Sequence, residues 1–202
     1  STCIILLAIS FIMIFVATPL WVPFVVIGLI GVAGAGGLLL TQGYRMERIT
    51  VWLDPAASEK GHQTIQGLYA IGSGGLFGKG LGQSMQKLGF LPEANNDMIF
   101  SVICEELGLF GALCVLALFF ALIWRFMVIA VNAPDLYGSM IVVGVIAHIG
   151  IQVFINIAVA TNTIPNTGIP LPFISYGGSS LVFMLLEMGL VLSVSRYINV
   201  KK

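Results

Sequence analysis

"MIFSVICEELGLFGALCVLALFFALIW", residues 98–124, carries no charge beyond Glu106 and is apolar at most other positions. A helix crossing a bilayer needs about 20 such residues. In lipid a chain must satisfy its own backbone groups, and a helix does so within one segment. Four further stretches read the same way, at about 1–17, 20–42, 138–161 and 179–197, with a break at Thr18-Pro19 between the first two. The expected fold is all-α and integral to the membrane. It is a polytopic helical bundle of about five transmembrane helices, taken as one domain over residues 1–202.

Composition agrees. Of 202 residues, 58% are hydrophobic and 9% are charged, against about 25% charged in soluble domains. Formal net charge is zero, so nothing draws the chain to nucleic acid. Cys3, Cys104 and Cys114 sit in apolar runs without CxxC spacing and read as small membrane-buried side chains. The opening "STCIILLAIS" has no basic region ahead of it and is not a signal peptide; it reads as an interior piece of a longer chain. "GLIGVAGAGG" in the second span places glycines at three-residue intervals, a packing feature.

Residues 43–97 break the pattern. They hold five of the nine Lys/Arg and five of the nine Asp/Glu, with Pro55 and Pro92. Loops this long are usually functional. The middle, "HQTIQGLYAIGSGGLFG", is mildly amphipathic and reads as a re-entrant or interfacial helix. Arg125 in the 125–137 loop, and Arg196, Lys201 and Lys202 at the end, are separated by two crossings. The positive-inside rule puts both sets in the cytoplasm and the 43–97 loop outside.

Three constellations carry possible chemistry. Asp97, Ser101 and Glu105 follow at i, i+4, i+8, with Glu106 beside them. Asn96 or Asp97 as a helix N-cap explains the first acid. It does not explain Glu105 and Glu106, roughly 12 Å further along a helix, where ionisable residues usually face a cavity. His148, Gln152 and Asn156 form a second stripe, either interhelical hydrogen bonding or a cavity wall. "IPNTGIPLPFISYGGSS", 164–180, is either an extracellular turn or a cavity lining, since Pro165, Pro170 and Pro172 exclude regular helix. "GSGGLFGKG", 72–80, fails the phosphate-loop spacing, because Ser73 and Gly80 stand where the motif needs Gly and Ser or Thr. Lys79 and the loop amides remain candidates to meet a phosphate. No HExxH and no GxSxG is present.

Four blocks resemble the C-terminal half of the FtsW/RodA/SpoVE family of peptidoglycan glycosyltransferases: "YRMERITVWLDP" (44–55), "GLFGKGLGQSMQKLGFLPEANNDMIFSVICEELGLFG" (75–111), "QVFINIAV" (152–159) and "PNTGIPLPFISYGGSS" (165–180). Members typically have ten spans, so the resemblance implies the last five. It implies polymerisation of lipid II at the outer face of a bacterial cytoplasmic membrane. The essential aspartate of the family's Pro-Glu-x-x-x-Asp-x-Ile-Phe motif falls on Asp97. It would take the proton of the acceptor's GlcNAc 4-hydroxyl, which attacks the donor's MurNAc C1 with inversion and releases undecaprenyl pyrophosphate. Arg45, Arg48, Lys79 and Lys87 are expected at the pyrophosphate, on charge and position alone; a divalent cation, Mg²⁺ or Mn²⁺, is an alternative source of that charge. Glu93, Glu105, Asn156, Ser175, Tyr176 and Ser179 are expected substrate contacts, and no metal ligand is assigned. The implied partners are lipid II, membrane lipid, a class B penicillin-binding protein, and divisome or elongasome proteins.

The chain departs from the family at Asn162, Thr163 and Asn166, at Asn95-Asn96 where His-Thr is common, and at Glu187, which has no assigned role. Competing readings are a lipid II flippase or other polyprenyl-lipid transporter, and a membrane scaffold for a transpeptidase. The family motifs do not separate division, elongation and sporulation. With part of the cavity expected from the N-terminal half of such proteins, this piece alone is expected to be inactive.

Overall fold

The computed structural model describes residues 2–18, 26, 28, 43–56, 61–88 and 91–198. Their regular structure is all helical: α1 (Thr2–Ala17), α2 (Gly43–Leu53), α3 (His62–Gly74), a 3₁₀ turn (Gln86–Leu88), α4 (Ile99–Val131), α5 (Leu136–Ala160) and α6 (Gly178–Ser195). The span expected over 20–42 lies outside the described residues apart from Val26 and Gly28, both helical.

Three helices, α4, α5 and α6, are long and apolar enough to cross a membrane, and α1 is a shorter apolar helix. The chain is a membrane protein. α5 is the hub and packs against α1, α4 and α6. Phe119, Phe126, Val142, Ile149, Val153, Met184 and Val191 form its buried core. Large apolar side chains on the outer faces, among them Leu118, Phe120, Trp124, Phe154 and Leu186, are exposed. Stacked Phe120 and Trp124 belong to this belt, which suits hydrocarbon and not water.

α4 runs past the expected end at 124. Phe126, Ile129 and Ala130 are buried in the core, so the helix continues until Asn132, whose backbone N–H closes on the carbonyls of Val128 and Ala130. Arg125 therefore sits in a helix and not in a loop, and the connection to α5 is short. α5 starts at Leu136 because the Asp135 carboxylate accepts from the Gly138 N–H at 3.0 Å, an N-cap.

The more consequential difference is at Gly108. Its φ of 68° and ψ of −166° are not helical, and they split α4 into 99–107 and 109–131. The second part is about 34 Å long at 1.5 Å per residue, enough to cross by itself. Glu105 and Glu106 thus precede the break and do not sit deep in a continuous span. At the break the loop after α3 supplies the missing partners. Lys79 N and Gly80 N donate to the carbonyls of Glu105 and Glu106, both at 2.9 Å; Leu109 N and Phe110 N donate to those of Gly75 and Leu76 at 2.9 and 3.1 Å. Backbones this close exclude side chains: a Cβ on Gly108 would lie 2.4 Å from Gly78 N.

Gly108→Ala is expected to destabilise the protein by at least about 2 kcal/mol, combining left-handed strain and overlap. Gly72→Ala, on an open helical face of α3, is expected to be neutral or stabilising by about 0.5–1 kcal/mol. Thermal unfolding in detergent checks the pair; equal effects would contradict the break at Gly108.

Candidate active site

The first part of α4 lies alongside α3. Gln63 is beside Asp97, Gly67 beside Ser101 and Gly74 beside Cys104 and Glu105. The i, i+4, i+8 stripe is therefore one face packed on one helix. The capping reading of Asp97 is not what occurs: Met98 holds the N-cap position without a side-chain cap bond. Asp97 instead closes a turned segment, 91–98, whose Leu91, Ala94 and Met98 are buried with Val102 and Val159. Glu93 adopts a left-handed φ of 53° there, and its carbonyl accepts from Asn96 N at 3.0 Å. The other non-glycine residues with such φ among the described residues are Asn162 and Phe173, both in the 161–177 segment. Backbone strain thus gathers around Asp97, as it does at many functional sites.

The Pro-rich segment is stitched to this turn and makes a wall. Buried Asn156 donates through Nδ2 to the carbonyls of Asp97 at 2.7 Å and Ile169 at 2.9 Å. Ser175 Oγ donates to Asn96 O at 2.6 Å and accepts from Leu171 N at 2.7 Å. Tyr176 N donates to Asn95 O at 2.8 Å. From α2, Arg48 Nη1 donates to Asn166 O at 2.8 Å and Trp52 Nε1 to Asn162 O at 2.9 Å. From α3, Gln63 Nε2 reaches Asp97 Oδ1 at 3.4 Å, and Gln63 Oε1 accepts from Asn166 Nδ2 at 3.0 Å.

Asp97 is 7% exposed. Burial raises its carboxyl above the ordinary 3.8; a hydrogen bond to its own backbone opposes the rise, Glu93 adds to it and Arg48 opposes it. Among the described residues, Arg48 is thus the cation whose charge acts on Asp97.

The expected site residues fall into two groups. Arg48, Glu93, Asp97, Asn156 and Ser175 gather at the turn and wall. Tyr176 is exposed and lines, with Ser175, Asn95 and Gly178, a cleft of about 460 Å³ that adjoins the turn; Ser179 follows it on an exposed position. Lys79, Lys87 and Glu105 belong elsewhere, at the break. Glu105 is fully buried, and its carboxylate accepts from Lys79 Nζ at 2.7 Å, Ser84 Oγ at 2.5 Å, Ser73 Oγ at 3.4 Å and Gln86 N at 3.3 Å. Lys87 Nζ lies 3.8 Å from Glu106 Oε1. Both lysines are neutralised locally, and the amides of Lys79 and Gly80 are already used at the break, so no phosphate cradle remains there. Asn156 reaches the site through the two backbone carbonyls it holds, while Glu105 is enclosed by its own partners at the break. The Arg45 side chain lies outside the described residues.

Sequence reasoning missed Gln63 and treated Asn166 only as a departure. A glutamine at the start of an amphipathic helix gives no signal of what it faces. His148, Gln152 and Asn156 do not form one unit: Asn156 serves the turn, while His148 Nδ1 pairs with Glu187 Oε1 at 2.7 Å and His148 Nε2 with Gln152 at 3.0 Å.

A family profile described as a cell cycle protein family, FtsW/RodA/SpoVE, matches residues 1–200. The chain is 54% identical over 201 residues to the stage V sporulation protein E of Bacillus subtilis (strain 168), covering 98% of this chain and 52% of that protein. It is 41% identical over 192 residues to a probable peptidoglycan glycosyltransferase FtsW of Geobacter sp. (strain M18), covering 94% and 52%. A solved structure, described as structural coordination of polymerization and crosslinking by a peptidoglycan synthase complex, aligns with TM-score 0.74 and 28% identity over 98% of this chain and 56% of that one. The chain spans about half the length of the curated relatives it matches.

The raised proton affinity of Asp97 has a stability consequence. The folded state binds the proton more tightly than the unfolded chain, so this contribution is complete below pH 3.8 and is lost as pH rises through the folded value. Asp97→Asn, which cannot ionise, is expected to unfold at higher temperature than the parent at neutral pH. The gap should close as pH falls toward 3.8. An Asn variant that is less stable at neutral pH would contradict the burial argument.

Proposed function

Since the chain belongs to the FtsW/RodA/SpoVE family, we propose that the protein polymerises lipid II into glycan strands, with Asp97 as the general base. The observation that carries this reading is the placement of one buried carboxylate in a strained turn at the start of the short helix 99–107, which leads through the Gly108 break into the membrane-crossing part of α4. A substrate with a sugar in water and a polyprenyl tail in lipid reacts at that boundary.

Asp97 takes the proton of the acceptor's GlcNAc 4-hydroxyl as that oxygen bonds to C1 of the donor's MurNAc. The C1–O bond to undecaprenyl pyrophosphate breaks, the leaving group carries away the electron pair, and the anomeric centre inverts. Burial supports the role, because a carboxylate with raised proton affinity is a stronger base at neutral pH. Arg48 offers positive charge near the leaving group. Lys79 and Lys87, spent on Glu105 and Glu106, are weaker candidates. Ser175 and Tyr176 offer polar contacts in the cleft, with Glu93 in the adjoining turn and Ser179 at the start of α6 as further candidates. Among the described residues no three His, Cys, Asp or Glu side chains converge, so they do not fit a dedicated divalent-cation cage.

The same reading puts the protein in the bacterial cytoplasmic membrane with residues 43–97 outside. It assigns a class B penicillin-binding protein as partner, which the likeness to a peptidoglycan synthase complex supports.

The test is polymer formation by the full-length natural protein, purified with its transpeptidase partner and given lipid II in detergent. No bilayer crossing is needed there, so polymer distinguishes a polymerase from a flippase. Asp97→Asn is expected to lower the rate by about 10²–10⁴-fold. Polymer made at the parent rate by Asp97→Asn would overturn the assignment.

A further inference from the structure

Two side-chain amides beside Asp97, those of Asn166 and Gln63, are oriented by a chain of hydrogen bonds that starts at a backbone N–H. The Gly168 backbone N–H, which can only donate, gives its proton to Asn166 Oδ1 at 3.0 Å. That turns Asn166 Nδ2 outward, where it donates to Gln63 Oε1 at 3.0 Å. Gln63 must then present its Nε2 hydrogens on the other side, one toward Pro92 O at 3.5 Å and one toward Asp97 Oδ1 at 3.4 Å. These last two are long contacts, of the kind that tighten when substrate closes a site. Arg48 holds the wall from behind through Asn166 O. The second carboxylate oxygen faces a different surface. A Cβ placed on Gly168 would lie 3.9 Å from Asp97 Oδ2, so that flank carries backbone without a side chain.

We infer that Gly168, Asn166 and Gln63 form a one-way hydrogen-bond relay that holds Asp97 Oδ1 as an acceptor and leaves Oδ2 as the atom that takes the substrate's proton. Gln63 and Asn166 are positioning residues; neither touches the reacting atoms. The inference rests on the polymerase reading for its substrate, but the relay itself is a property of Asp97. The charged groups acting on that carboxylate are Glu93 from its own turn and Arg48 from α2; the contributions of α3, α5 and the wall, Gln63, Asn156 and Asn166, are neutral.

A donor aimed at an ionised oxygen favours the ionised form, by about tenfold for a hydrogen bond to a charged group. The experiment uses the full-length protein with its partner and three variants, Gln63→Met, Gln63→Glu and Asn166→Asp. Gln63→Met keeps the side-chain length and removes the donor. Two readouts are taken: the infrared titration of the Asp97 carboxylate, isolated by difference from Asp97→Asn, and the pH profile of lipid II polymerisation. In Gln63→Met the titration midpoint and the acidic limb of kcat are both expected to move up, the midpoint by at most about one pH unit and the limb of kcat further, where bound substrate tightens the contact, with KM unchanged. Gln63→Glu and Asn166→Asp should move them in the same direction. An unmoved Asp97 titration overturns the relay, whether or not polymer forms. A moved titration, together with polymer that persists in Asp97→Asn, keeps the relay and removes the general-base reading.

Discussion

One side-chain amide joins the parts of this site. Asn156, on the hub helix, spends both Nδ2 hydrogens on carbonyls that belong to different segments, Asp97 and Ile169. It is 1% exposed. A buried carbonyl left without a donor costs about 1–3 kcal/mol, so neither segment can leave without penalty. With the carbonyls of Asp97 and Ile169 tied to one side chain, the distance between Asp97 and Gly168 is set by α5. Every other feature of the site, from the Ser175 bond to the Gln63 contact, is built on that fixed separation.

The break at Gly108 makes a second, separate joint. Its four backbone bonds to the 75–80 loop replace helical bonds that the glycine interrupts, and Glu105 clasps the same loop from within. A buried carboxylate is stable only when its lone pairs are filled; here Lys79, Ser84, Ser73 and Gln86 N fill them. Ser84 Oγ in turn accepts from Lys87 N at 3.1 Å, so the clasp extends into the turn that leads to Pro92. The two lysines nearest this joint are therefore structural in their charge, and Arg48 is the cation that bears on Asp97.

Much of the fold was legible because lipid leaves few options. Long apolar runs over α4, α5 and α6 can only be helices, and the amphipathic stretch from His62 was readable as α3. The Asp97–Ser101–Glu105 face was readable from period alone. Gly108 was not, since a lone glycine in an apolar run looks like packing; its left-handed φ is imposed by a loop some 30 residues earlier. The end of α4 was read short because Arg125 resembled a boundary, whereas the buried Phe126, Ile129 and Ala130 carry the helix past it. At the site, the general-base role of Asp97 is legible only through the resemblance. Gln63, Asn166 and the clamp role of Asn156 depend on contacts 34 to 103 residues apart in the chain, which no local pattern records.

Under the proposed reading Asp97 places function against stability: burial would strengthen it as a base, and it weakens the fold at the pH where the carboxyl is ionised. That arrangement works only if the turn and the wall move as one body. Hydrogen exchange of Asn156→Ala, read peptide by peptide, tests this directly. The amides of 91–98 and 165–177 should lose protection together, while α1 and 109–131 keep theirs. Loss confined to one of the two segments, or no loss in either, would contradict the account.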